Sequence, residues 1–111
     1  MNTLQLTDIL YDDPYVGPVF EGVFAMDELE AFAEGACVVN TSPSSERTGH
    51  WIALWIDSAN ECFDSYGRQI PERVKRLWKN KKKWLRNTVP LQSPLTAVCG
   101  QYCVYYLLHR A

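Results

Sequence analysis

The sequence predicts an α+β fold: a small mixed or antiparallel sheet packed against helices. Three observations carry this prediction. The chain closes on "AVCGQYCVYYLLHR", which reads as a buried helix. Its centre holds two β-rich stretches, "HWIALWID" and "ECFDSY", separated by the turn residues "SAN". From Pro71 onward, apolar residues recur at helical spacing. The 111 residues, 47% of them hydrophobic, suffice for one domain with one modest core, and the chain is too apolar for disorder.

The elements follow in order. "TLQLTDIL" has apolar residues at 4, 6, 9 and 10, which predicts a short helix over 3–10 with Thr3 as its cap. "YDDPYVGPVF" is punctuated by Pro14, Gly17 and Pro18 and reads as a loop. "MDELEAFA" suits a turn or more of helix. "ACVVN" reads as a short buried strand and "TSPSSERTG" as a polar turn. "HWIALWID" alternates poorly, so it predicts a strand buried on both faces. "ECFDSY" returns as its hairpin partner. Pro71 suits a first helical position, and a helix over about 71–84 aligns Val74, Leu77, Trp78, Lys81 and Leu85. "TVPLQ" predicts a strand before the last helix. There is no internal repeat, low-complexity tract or linker, so residues 1–111 read as a single domain.

Charge is unevenly spread. The net value is −2, yet all 13 acidic residues lie within 1–72. Eight basic residues fall between Arg73 and Arg86. No apolar run approaches the ~20 residues that span a bilayer, so no membrane association is expected. The start of the chain lacks the basic and apolar parts of a signal peptide. The cysteines Cys37, Cys62, Cys99 and Cys103 have apolar neighbours, which suits thiols in an intracellular reducing compartment. Cys99 and Cys103 have a poor spacing for zinc and lack a second ligand pair, so no metal site is expected.

Cys99 sits where the last helix begins. A helix start carries partial positive charge and unpaired N–H groups, which favour a thiolate. Gly100 leaves space for a substrate, and Gln92 offers an amide donor for a developing oxyanion if the chain doubles back through Pro94. Cys103, one turn later on the apolar face, reads as core. His109 lies about 15 Å along the same helix and cannot serve as the base. His50 opens "HWIALWID", and a hairpin turning at 58–60 brings it near Asp64, which can orient an imidazole. Asp64 also suits a turn acid, since Ser65 and Gly67 follow.

The order His-Trp, Phe-Asp-x-x-Gly, Gln, Cys-Gly resembles the adenain family of adenovirus-type cysteine proteases. More distantly it resembles the proteases that remove ubiquitin-like modifiers. The similar stretches are "CVVNTSPSSERTGHWIALWID", "CFDSYG" and "LQSPLTAVCGQYC", with "YVGPVFEGVFAMDEL" weaker, so residues 11–110 are covered. The resemblance implies a papain-like catalytic arrangement of the adenain type. It implies His50 as base, Asp64 as the acid, Gln92 in the oxyanion hole and Cys99 as nucleophile. Trp51 is the aromatic beside the site, and Gly100 adjoins the substrate. The implied activity is a cysteine endopeptidase cutting near glycine or small residues, maturing a viral structural precursor or a protein of a virus-like element. Alternatives are an isopeptidase acting on a ubiquitin-like conjugate and a catalytically vestigial nucleic-acid-binding module; some relatives transfer acetyl groups. Family members continue past the catalytic helix, whereas this chain stops at Ala111, which suggests a trimmed or minimal form. No cysteine lies between Asp64 and Gln92 to bond an activating peptide as in adenain. No cofactor is required, although DNA, another adenain activator, fits the Arg73–Arg86 segment through Lys79, Lys81, Lys82 and Lys83. A monomer is expected, with the virion or host nucleus as places the resemblance suggests.

Overall fold

The stretch from Gly35 to Asn40 has no polar face until its last residue, and it ends up covered on both sides. In the computed structural model, which describes residues 1–46, 49–79, 82–91 and 98–111, this stretch is β2 of a mixed sheet. Its neighbours are β1 (Phe20–Phe24), β3 (Trp51–Ile56), β4 (Asn60–Phe63) and β5 (Trp84–Arg86), in the spatial order β1-β2-β3-β4-β5. β1 runs parallel to β2, β2–β3–β4 are antiparallel, and β5 runs parallel to β4. The helices are α1 (Thr3–Asp12), α2 (Glu72–Leu77) and α3 (Cys99–Arg110).

Alternation along the strands divides the core in two. Ala36, Val38, Ala53 and Phe63 face α1 and α3, where Leu6, Leu10, Cys103 and Leu107 meet them. Cys37, Val39, Ile52, Leu54, Ile56 and Cys62 face the other way, onto Leu29, Ile70, Val74 and Trp78. A strand buried on both faces needs apolar residues at every position, which is why β2 and β3 read as runs and not as alternations. Polar contacts fix α3 on the sheet. The Tyr106 hydroxyl donates to Glu61 at 2.6 Å, and Arg110 reaches Glu61 at 2.8 Å and Asp57 at 3.2 Å. The Tyr106 ring stacks on Phe63 with centroids 4.7 Å apart, worth about 0.5–1.5 kcal/mol beyond burial.

Several elements differ from the sequence reading. The cap of α1 is Asn2, not Thr3: its side chain accepts the Gln5 N–H at 2.9 Å, and Gln5 returns the bond to the Asn2 N–H at 3.0 Å. The segment read as loop includes a 3-10 turn, Gly17–Val19, and leads into β1, an edge strand whose apolar pattern Gly22 interrupts. "MDELEAFA" forms turns, not helix. Arg73 takes the carbonyls of Met26 and Leu29, and Glu28 accepts the Ala25 N–H. Pro71 is the cap of α2 and not its first residue, and that helix ends at Leu77 instead of near 84. Trp78 then turns inward, with its indole N–H on the Phe32 carbonyl at 2.9 Å. Beyond it the chain extends as β5, where Leu85 is exposed and not aligned with Val74. The described part of "TVPLQ", residues 88–91, is not a strand. Lys81 and Gln92 lie outside the described residues.

Candidate active site

The site is assembled where three chain segments run just past their regular elements. Asn40 pairs with Trp51, and the ladder continues one step further: the Thr41 N–H donates to the His50 carbonyl at 2.9 Å and the His50 N–H to Thr41 Oγ1 at 3.0 Å. Gly49 precedes His50 because a Cβ there would strike the Asn40 amide oxygen and the Ser42 N. On the other side, Ala53 pairs with Phe63, so Asp64 emerges level with the start of β3. His50 Nε2 and Asp64 Oδ2 are 3.1 Å apart.

Asp64 is held from every direction. Its Oδ1 accepts the Tyr66 N–H at 2.8 Å. Asn87 clamps its backbone, accepting the Asp64 N–H at 2.9 Å and donating to its carbonyl at 2.5 Å. The chain then turns at Gly67, whose N–H donates to the Asp64 carbonyl and whose φ of +69° suits glycine. Burial pushes the Asp64 carboxyl up. The hydrogen bonds from His50 and Tyr66, with the charges of His50 and Arg68, outweigh this and hold it below the usual range. A carboxylate at Nε2 assigns the ring proton to that nitrogen and leaves the Nδ1 lone pair free to accept. Around Nδ1 stand Thr41 Oγ1 at 3.3 Å and Arg68 at 3.4 Å.

Cys99 is the first residue of α3, and the cap residue Val98 offers no side-chain hydrogen bond to that helix start. Its sulfur accepts the Trp51 N–H at 3.3 Å. This bond ties the sulfur to the residue that follows His50. A Cβ on Gly100 would crowd Met1 at 3.1 Å and Trp51 at 3.3 Å. Cys99, Gly100, His50, Trp51, Tyr66 and Arg68 line one cleft of about 960 Å³. Cys103 is fully buried in the core, where desolvation pushes its thiol well above the usual range. All four cysteines are free.

Compared with solved structures, the chain superposes on the crystal structure of the ASFV pS273R protease with a TM-score of 0.63 at 18% identity. The fold is similar to that of the matched part of this viral protease. The match covers 98% of the present chain and 56% of the protease chain, so the chain spans little more than half the length of that neighbour. No family model and no curated protein matches. Among the described residues, no helix is long and apolar enough to cross a membrane, and no group of three or more His, Cys, Asp or Glu is suited to a metal ion.

The structure therefore brings together His50, Asp64, Cys99, Trp51 and Gly100. The candidate polyanion contacts lie apart from the cleft: Lys79 and Lys83 are exposed, and the Lys82 ammonium donates to the Asp57 carbonyl. Sequence reasoning missed Thr41, Arg68 and Asn87. Thr41 and Asn87 show only as polar residues in turns, and Arg68 follows Gly67 with nothing local to mark it. An imidazole held by a carboxylate, in one cleft with a thiol at a helix start, is an arrangement that can move a proton from sulfur to a leaving group.

Proposed function

We propose that the chain is a cysteine peptidase. The observation that carries this reading is the 3.1 Å His50–Asp64 contact, joined to Cys99 through the Trp51 N–H in a single cleft. The fold shared with a viral protease supports it. In this reading Cys99 attacks a peptide carbonyl as its thiolate. His50 takes the thiol proton at Nδ1 and later gives it to the departing amine. Asp64 holds the ring through Nε2 and stabilises the imidazolium. Gln92 and the Cys99 N–H receive the oxyanion. Substrates that carry glycine or small residues before the cut are part of the proposal and rest on the family resemblance alone. The viral origin of the structural neighbour agrees with a role in maturing viral or virus-like proteins. Polyanion binding by the exposed Lys79 and Lys83 is a separate part of the proposal and rests on charge alone.

The test is alkylation followed by peptide mapping. Iodoacetamide at pH 6 is expected to label Cys99 and spare Cys37, Cys62 and Cys103, because burial raises those three thiols, Cys62 to about 12. Cys99→Ser is expected to abolish cleavage of a glycine-containing peptide library. Labelling of Cys103 with Cys99 inert, or hydrolysis surviving in Cys99→Ser, would overturn the reading.

A further inference from the structure

Nδ1 of His50 is the nitrogen that a thiol proton must reach, and a guanidinium stands beside it. Arg68 NH1 lies 3.4 Å from this atom. The Arg68 side chain is exposed and rests over the Tyr66 ring, 4.6 Å from its centroid. Tyr66 in turn meets the His50 ring edge-on at 5.0 Å. The stack keeps the guanidinium at the cleft wall, where it can still pivot over the ring. Among the described residues that line the cleft, Arg68 is the one Lys or Arg. Among the described residues, Asp64, whose charge Arg68 feels, spends Oδ2 on His50 and Oδ1 on the Tyr66 N–H, and no ion pair joins a carboxylate to Arg68. The carboxylates that line the cleft among the described residues, Glu28 and Glu46, belong to the stretches beside β1 and β2, and Glu28 accepts the Ala25 N–H.

A cation without a carboxylate of its own, aimed into a cleft, is a recognition group. We propose that Arg68 binds a carboxylate on the leaving-group side of the scissile bond. The side follows from the chemistry, and the proposal rests on the peptidase reading for this step. The peptide C–N bond breaks, a thioester C–S bond forms at Cys99, and the proton held at His50 Nδ1 passes to the departing nitrogen. That nitrogen must therefore approach Nδ1, so the residue it belongs to arrives beside Arg68. A carboxylate there also draws the guanidinium away from Nδ1 and frees the lone pair for the thiol proton. The carboxylate can be an acidic side chain just after the cut or the α-carboxylate of a single terminal residue.

Two measurements separate this proposal from the peptidase reading. The first needs no hydrolysis. Iodoacetate and iodoacetamide both form an S–C bond and release iodide, but only the first carries a carboxylate. The ratio of their rates at Cys99, read by peptide mapping, is expected to fall about tenfold in Arg68→Ala, the size of one charge-assisted hydrogen bond, with Arg68→Lys between. An unchanged ratio overturns carboxylate binding whether or not the chain cleaves peptides. The second compares three peptides with glycine before the cut: aspartate after it with an amidated end, glycine after it with an amidated end, and a single terminal glycine as the free acid. Faster cleavage of the first assigns an acidic side chain, and of the third a terminal carboxylate. Equal rates for all three overturn the proposal and leave the peptidase reading standing. If none is cleaved while the alkylation ratio still depends on Arg68, the peptidase reading falls and the carboxylate site stands.

Discussion

Replacing Asp64 by Asn tests how the imidazole is held. Two donors converge on this side chain: His50 Nε2 at 3.1 Å and the Tyr66 N–H at 2.8 Å. A carboxylate accepts both, but an amide has one oxygen. Either the amide NH2 faces the Tyr66 N–H, or it faces Nε2 and forces the ring proton onto Nδ1. The second tautomer cannot take a proton from Cys99. Turnover is expected to fall by about 10²–10⁴, with the loss in kcat. One charge-assisted bond is lost, about 1.5–3 kcal/mol, so the fold survives with a lower Tm. The sign with pH follows from the depressed Asp64 pKa. Its stabilisation is complete above the unfolded value of ~3.9 and is lost as pH falls through the folded value. Melting curves of the two proteins should therefore separate at pH 7, begin to converge below about pH 4 and meet once pH falls below the folded value. A fluorogenic peptide assay for kcat and a pH series of thermal melts provide the readouts. An Asn variant with native kcat, or a stability gap that does not close in acid, would refute the reasoning.

Two further perturbations test the surroundings. Asn87→Ala removes both bonds that clamp the Asp64 backbone, and kcat is expected to drop about 10–100-fold through misplacement of the acid. A lowered Tm with native kcat would reduce Asn87 to a structural residue. Tyr106→Phe deletes the hydroxyl bonded to Glu61 while keeping the stack on Phe63, so denaturant titration should show a loss of about 1 kcal/mol with unchanged kcat. A fall in kcat there would mean that the tail of α3 influences the cleft.

The site was legible where the chain itself sets the distance. The turn at 58–60 sets the hairpin register, which brings Asp64 within two positions of His50, and the Asn87 clamp holds it there. Cys99 was legible because the apolar run that follows it, with the Cys-Gly pair at its head, marks where the last helix begins. The basic segment was misread because Val74, Leu77 and Trp78 keep helical spacing, while the inward turn of Trp78 depends on the Phe32 carbonyl, 46 residues away. β1 and β5 are edge strands held on one side only, so their sequences carry half the apolar signal of β2 and β3. Arg68 and Asn87 act through groups distant in sequence, and no local pattern encodes such meetings.

The position of β5 puts the positive segment beside an edge of the sheet. β5 is the last strand on one side of the sheet, and among the described residues no strand pairs with its outer edge. A strand left open in this way invites a second copy to add on. Here the invitation is three residues long, and the exposed Lys79, Lys83 and Arg86 lie on or near it. Two copies approaching edge to edge would bring like charges together before any hydrogen bond formed. Protection of this kind would be electrostatic and would weaken as salt shortens the range of repulsion to about 3 Å at 1 M. Self-association through this edge would then be governed by ionic strength, and a chain stripped of these lysines would be the one to clump.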